Sequence, residues 1–127
     1  MRIFKNKLFA RLSRKEDISD EKLCEAIRRA EKGQIDADIG GGVIKQRLSR
    51  PNEGKSGGYR AIILYRQGDK AFFVYGFAKN DEANITKDEE KAFKKAAPIM
   101  LRLSDEILKQ QLKTGNLVEV KSDDQEI

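Results

Sequence analysis

The sequence predicts an α+β domain: a small antiparallel sheet with N-terminal helices packed on it and further helices at the C-terminal end. Three observations predict it. Tyr59–Tyr65 and Ala71–Phe77 are near-continuous apolar and aromatic runs joined by the compact connection Gln67-Gly68-Asp69, which reads as a hairpin of central strands. Leu23, Ala26, Ile27 and Ala30 recur at helical spacing before that hairpin. Thr86 with Glu89 three residues later opens a helix after it, as a capping box does.

From the N-terminus, Leu8, Phe9 and Leu12 recur at near-helical spacing, and Asn6 is placed to cap a short basic helix ending near Lys15. Ser19 is the N-cap expected for the next helix, with Asp20 and Glu21 in its first turn, where the helix dipole favours acids. Gly33 ends it as the residue past the C-cap. Residues 36–42 are mixed and broken by Gly40-Gly41-Gly42. From Val43 to Leu48 the chain alternates, with Val43, Lys45 and Arg47 on one face and Ile44, Gln46 and Leu48 on the other. Arg50 to Gly54 reads as a turn or loop.

The helix opened by Thr86 carries Phe93, Ala96, Ala97, Met100 and Leu101 along one face, and Pro98 is expected to kink or split it. Ser104 caps another short helix, with Leu103 and Leu108 spaced as a hydrophobic staple, and Gly115 closes it. Leu117 to Val120 suits a final short strand. The expected order is helix, helix, three strands, then helices. Residues 1–121 form one domain, large enough to bury a core unaided, and residues 122–127 read as an acidic disordered tail.

Composition narrows the function classes. Zinc is excluded as a structural centre by a single cysteine and no histidine, and no cofactor is indicated. Cys24 sits among apolar residues in a helical pattern, as a buried structural thiol does, and a catalytic cysteine lacks its histidine base. No apolar run reaches membrane-spanning length and no secretory signal opens the chain, so the expected compartment is the cytoplasm with no membrane partner.

The net charge is +5, and residues 43–70 alone carry seven cations against only Glu53 and Asp69. That concentration marks either a nucleic-acid surface or a surface for an acidic protein. Were the partner RNA, cleavage would need a base for the 2′-hydroxyl, an acid for the leaving 5′ oxygen and cations around the phosphorane. Arg60 suits the last role, because its planar fork matches two phosphate oxygens and it begins an otherwise apolar strand face shared with Ile62 and Leu64. Lys79, just past the hairpin, suits phosphate binding or proton donation. Lys45, Arg47 and Lys55 are placed to cradle a backbone or to solvate an edge. Tyr75 and Phe77 either stack on a base or pack within the sheet. Gly57-Gly58 lacks the spacing and the Lys-Ser/Thr ending of a nucleotide-binding loop.

Gly54-Lys55-Ser56-Gly57-Gly58-Tyr59-Arg60, the aliphatic strand after it, Val74-Tyr75-Gly76-Phe77-Ala78-Lys79-Asn80-Asp81 and the Thr86 helix together resemble the RelE/HigB-like toxins of bacterial type II toxin–antitoxin systems. The similar stretch is about residues 40–97, with a looser match from the N-terminal helices to Val120. The resemblance implies a RelE-like fold, cleavage of mRNA on the translating ribosome, and a cognate antitoxin with a helix-turn-helix domain. Arg60 matches the strand arginine that stabilises phosphate, Lys79 the basic position after the next strand, and Lys45 and Arg47 the basic residues on the preceding strand. Some members use a tyrosine or histidine near the C-terminus, and neither follows Tyr75 here, so the general acid and base stay unassigned. ParE-like relatives of the same fold poison gyrase, which leaves a non-catalytic or gyrase-targeting module as the alternative.

Overall fold

A computed structural model describes residues 1–49, 58–79 and 84–121. The chain runs β1 (Arg2–Asn6), α1 (Lys7–Lys15), α2 (Asp20–Glu31), β2 (Ala37–Gly40), β3 (Val43–Leu48), β4 (Tyr59–Arg66), β5 (Lys70–Ala78), α3 (Lys87–Met100), α4 (Asp105–Thr114) and β6 (Leu117–Glu119). Six strands form one sheet in the order β2-β3-β4-β5-β1-β6. β1 runs parallel to β5, and the other neighbours are antiparallel. The α+β class and the central β4–β5 hairpin are as the sequence predicts.

The caps follow the expected chemistry. Asn6, Ser19, Thr86 and Ser104 each accept a hydrogen bond from a backbone N–H in the first turn of α1, α2, α3 and α4, and Thr86 with Glu89 completes the capping box. Gly33 and Gly115 have positive φ just past α2 and at the end of α4.

Three features differ from the sequence reading. Arg2–Asn6 is a strand inside the sheet, held by distant β5 and β6 rather than by local signals. Ala37–Gly40 is an edge strand despite its glycine. Pro98 neither splits nor ends α3, which continues to Met100. It lies in the last turn and is exposed, and the break falls after it, at Leu101–Leu103.

The sheet has a core on each face. Phe9, Leu23, Ile27, Ile63 and Phe73 pack between the sheet and α1 and α2. Phe4, Ile62, Leu64, Phe72 and Leu108 pack under α3 and α4. This is why β4 is apolar without a break: its alternate side chains enter different cores. Cys24 is buried in the first of them, as expected.

A bulge in β5 sets which side chains face which core. Ile62 pairs with Tyr75 and Ile63 with Phe73, which leaves Val74 as the extra residue. The bulge switches the alternation. Phe73 faces α1, whereas Tyr75 and Phe77 face α3. The carbonyl of Val74 accepts a hydrogen bond from Nδ2 of Asn6 at 3.0 Å, so the residue that caps α1 also satisfies the bulge.

Candidate active site

The predicted cations converge at one end of the sheet. Arg47 on β3 lies directly opposite Arg60 on β4, which lies opposite Phe77 on β5. One row inward, Lys45, Ile62 and Tyr75 are opposite one another. Directly opposed side chains share a face. One row outward, the Lys79 N–H donates to the Gly58 carbonyl at 3.2 Å, placing Lys79 beyond the end of β5 with its side chain in solvent.

Their surroundings differ. Arg60 is half-buried, and its Nη1 atom is shielded from solvent with no hydrogen-bond partner among the described residues. A cation opposite another cation, with a shielded and unpaired donor, costs stability. Such costs concentrate where a ligand is to be bound.

Arg47 is exposed and leans to the sheet edge. Its Nε lies 3.5 Å from Oδ1 of Asp36, and its N–H donates to Oδ2 of Asp36 at 2.6 Å. Lys45 reaches Oδ1 of Asn84 at 3.4 Å, on the approach to α3. The Tyr75 ring packs 5.9 Å from that of Phe93 and 6.0 Å from that of Phe77, the sheet-packing alternative of the sequence reading. Lys55 and its glycine-rich loop lie outside the described residues.

Helix α2 supplies what the sequence reading missed. A cleft of about 280 Å³ is lined by Lys22, Glu25, Arg29, Arg47, Leu48, Ser49, Gly58 and Arg60. Lys22, Glu25 and Arg29 follow one another at helical spacing along the flank of the apolar face. Two anchors tie that flank to the outgoing end of β3. Lys22 Nζ donates to the Ser49 carbonyl at 2.9 Å, and Arg29 Nη2 donates to the Arg47 carbonyl. Arg29 Nη1 also lies 3.7 Å from Asp36.

Behind them Gln46 is fully buried and fully engaged. It accepts from the Asp36 N–H at 2.7 Å and donates to the carbonyls of Ala26 and Gln34. A satisfied buried amide of this kind fixes α2 against β3. The missed signal was the charged spacing of residues 22, 25 and 29. It shows that the three share a helix flank, but not that the flank turns toward the sheet's end.

The arrangement is suited to an anion. Four cations and one carboxylate surround a hollow slightly smaller than the roughly 300 Å³ at which pockets for drug-sized molecules begin, which suits a phosphate group with its immediate neighbours. Gly58 is required at the wall: a Cβ there would lie 2.6 Å from the Leu48 carbonyl oxygen. Among the described residues no group of three His, Cys, Asp or Glu side chains is placed to hold a metal ion. No helix among them is long and apolar enough to cross a membrane.

One family profile, described as the RelE toxin of the RelE/RelB toxin–antitoxin system, matches residues 1–120. No curated protein matches the chain.

Proposed function

The chain belongs to the RelE toxin family, and on that premise we propose that it is an endoribonuclease that cuts mRNA on the translating ribosome and so stops translation. The observation that carries this reading is Arg60: a half-buried guanidinium whose shielded Nη1 has no partner among the described residues, on the sheet face that it shares with Arg47 and Lys45. Attack of a ribose 2′-hydroxyl on phosphorus builds negative charge on the non-bridging oxygens. A fixed guanidinium aimed at that charge needs no reorganisation when the charge appears. Lys79 and Lys45 would extend the cationic surface along the RNA backbone beyond the cleft, and Lys55 joins them in this reading.

The family carries with it an antitoxin partner. The reading adds that the antitoxin bears a helix-turn-helix domain and that both proteins work in the cytoplasm without metal or cofactor. The test is induction in a bacterial host followed by primer extension on cellular mRNA. Growth should stop and new 5′ ends should appear within reading frames, and Arg60→Met should abolish both. Growth arrest with intact mRNA would instead favour a toxin that acts by binding a protein such as gyrase.

A further inference from the structure

Strand β1 stops short of its neighbour. It pairs with β5 from Lys70 to Phe73, whereas β4 pairs with β5 as far as Ala78. At Asn6 the chain leaves the sheet and enters α1, so the outer part of β5 has no strand on that side. The Lys79 N–H donates to the Gly58 carbonyl on the β4 side, and backbone groups alternate sides along a strand. The N–H and C=O of Gly76 therefore point away from β4, toward the missing strand. The nearby carbonyl of Val74 accepts from Nδ2 of Asn6. The backbone groups of Gly76 have no strand to pair with among the described residues.

Helix α1 packs hard against this point. A Cβ on Gly76 would lie 2.6 Å from Cδ2 of Leu12 and 3.0 Å from Cε2 of Phe9. Beside them runs a mostly apolar groove of about 210 Å³, lined by Leu8, Phe9, Arg11, Leu12 and Lys15 of α1 and by Gly76 of β5. Leu8 is 53% exposed. Lys7, Arg11, Arg14 and Lys15 fall at i, i+4, i+7 and i+8, one stripe along the helix. All four are exposed, and none has a hydrogen bond or ion pair among the described residues. A bare leucine, an open strand edge and a row of unpaired cations thus meet along one groove.

We propose that this groove is a docking site for an extended acidic segment of the antitoxin that carries an apolar residue among its acids. The proposal rests on the partner that the family brings with it, not on the RNA-cleavage reading. The main chain of the segment pairs with Gly76, its apolar side chain covers Leu8 and Leu12, and its carboxylates meet Arg11 and Lys15 on the rim, with Lys7 and Arg14 beyond. An RNA backbone would engage the cations alone and leave the leucine and the strand edge uncovered. The groove lies on the sheet face packed by α1 and α2, whereas Arg60, Arg47 and Lys45 lie on the face under α3. Docking here holds the partner without covering the catalytic cations.

The experiment titrates purified toxin with its purified cognate antitoxin by calorimetry over a salt series, and measures ribosome binding and mRNA cleavage on 70S ribosomes with the same toxin preparations. Arg11→Glu combined with Lys15→Glu should weaken antitoxin binding at least about 10-fold, through two lost pairs and the repulsion that replaces them, and should flatten its salt dependence. Leu8→Ala should weaken binding about 5-fold with the salt dependence of wild type. Lys109→Glu combined with Lys113→Glu on α4 makes the same change in net charge and should leave binding as it is. All these proteins should cleave at the wild-type rate on saturating ribosomes. In the wild-type complex the Gly76 amide should be protected from hydrogen exchange relative to free toxin, a readout that needs no substitution.

Antitoxin affinity unchanged in the α1 variants, equal weakening by the α4 pair, or a Gly76 amide that exchanges as fast in the complex as in free toxin overturns the proposal. So does a loss of ribosome affinity in the Arg11, Lys15 variant with antitoxin affinity intact, which would make the stripe an RNA surface. Absence of cleavage by wild type refutes the ribonuclease reading alone, because the antitoxin titration does not depend on it. Leu8, Arg11 and Lys15 are exposed, so their substitution leaves the fold intact, and matched melting curves verify this.

Discussion

Arg60→Met separates the cost of a site from its use. Nη1 of Arg60 is shielded from water without a partner among the described residues, while Arg60 stands opposite Arg47. Leaving a buried donor unpaired costs about 1–3 kcal/mol. Arg60 is half-exposed overall, so the lower part of that range, about 1–2 kcal/mol, is the appropriate figure. Methionine retains most of the stem that lies along the strand beside Ile62, and it removes both the unpaired donor and the repulsion from Arg47. Unfolding entropy near 2.1 cal/mol/K per residue gives about 0.27 kcal/mol/K for a chain of this length, so the melting temperature should rise by about 4–7 °C. Calorimetry and ribosome-dependent cleavage, measured on the same preparations, make the assay. The expected result is a more stable protein with no activity. A melting temperature that falls by about 3 °C or more, roughly 1 kcal/mol, would show the guanidinium to be a structural anchor and refute the reasoning.

Three further outcomes follow from other parts of the molecule. Lys79→Glu should weaken ribosome binding and lower its salt slope by about one unit, whereas Lys113→Glu on α4 should do neither; equal slopes for the two variants would remove Lys79 from the site. Gly58→Ala forces a Cβ to within 2.6 Å of the Leu48 carbonyl oxygen, and this is backbone that must move. The urea midpoint should drop by the equivalent of about 1–3 kcal/mol, and an unchanged midpoint would dispose of the close approach. Burial, with the hydrogen bond to Glu31, raises the Tyr65 phenol above its ordinary pKa of 10.0. Below that pH both folded and unfolded phenols are protonated and the stability is whole; above it the unfolded chain ionises first, so stability falls as pH rises. Tyr65→Phe should be less stable at neutral pH by about 1 kcal/mol and should show a shallower alkaline decline. An alkaline decline as steep as that of wild type would place its origin elsewhere.

What was legible in the sequence was local. The caps of α1, α2, α3 and α4, the β4–β5 hairpin and the alternation of β3 each depend on residues a few positions apart, and each appears where its chemistry puts it. β1 was hidden because Arg2–Asn6 has too few residues for a period and is held by β5 and β6, far along the chain. The β5 bulge was hidden for a related reason: Val74 is surplus only relative to its partner strand. The same division runs through the site. Alternation placed Arg47 with Lys45 on one face of β3 and Arg60 with Ile62 on one face of β4, but only the register between the strands makes these the same face. The helix flank bearing Lys22, Glu25 and Arg29 joins them through tertiary bonds to Ser49 and Arg47, and through Gln46 behind, none of which has a sequence period.

The placement of β1 imposes an order on folding. β3, β4 and β5 are consecutive and antiparallel, so the strands bearing Arg47 and Arg60 can pair through short-range hairpins. β1 is made first but can dock only when β5 exists, and β6 pairs only with β1 in the sheet, sealed by Arg2 and Glu119 across 117 positions. Loop-closure entropy makes such remote pairings the slow steps. While a ribosome is making this chain, the cationic end of the sheet can therefore assemble ahead of the strand that closes the opposite side, and the β5 edge that β1 will cover stays open in the interval. An open strand edge is a template for another chain, so the time between synthesis of β5 and docking of β1 is a window in which a partner already present can engage the toxin before its fold is complete.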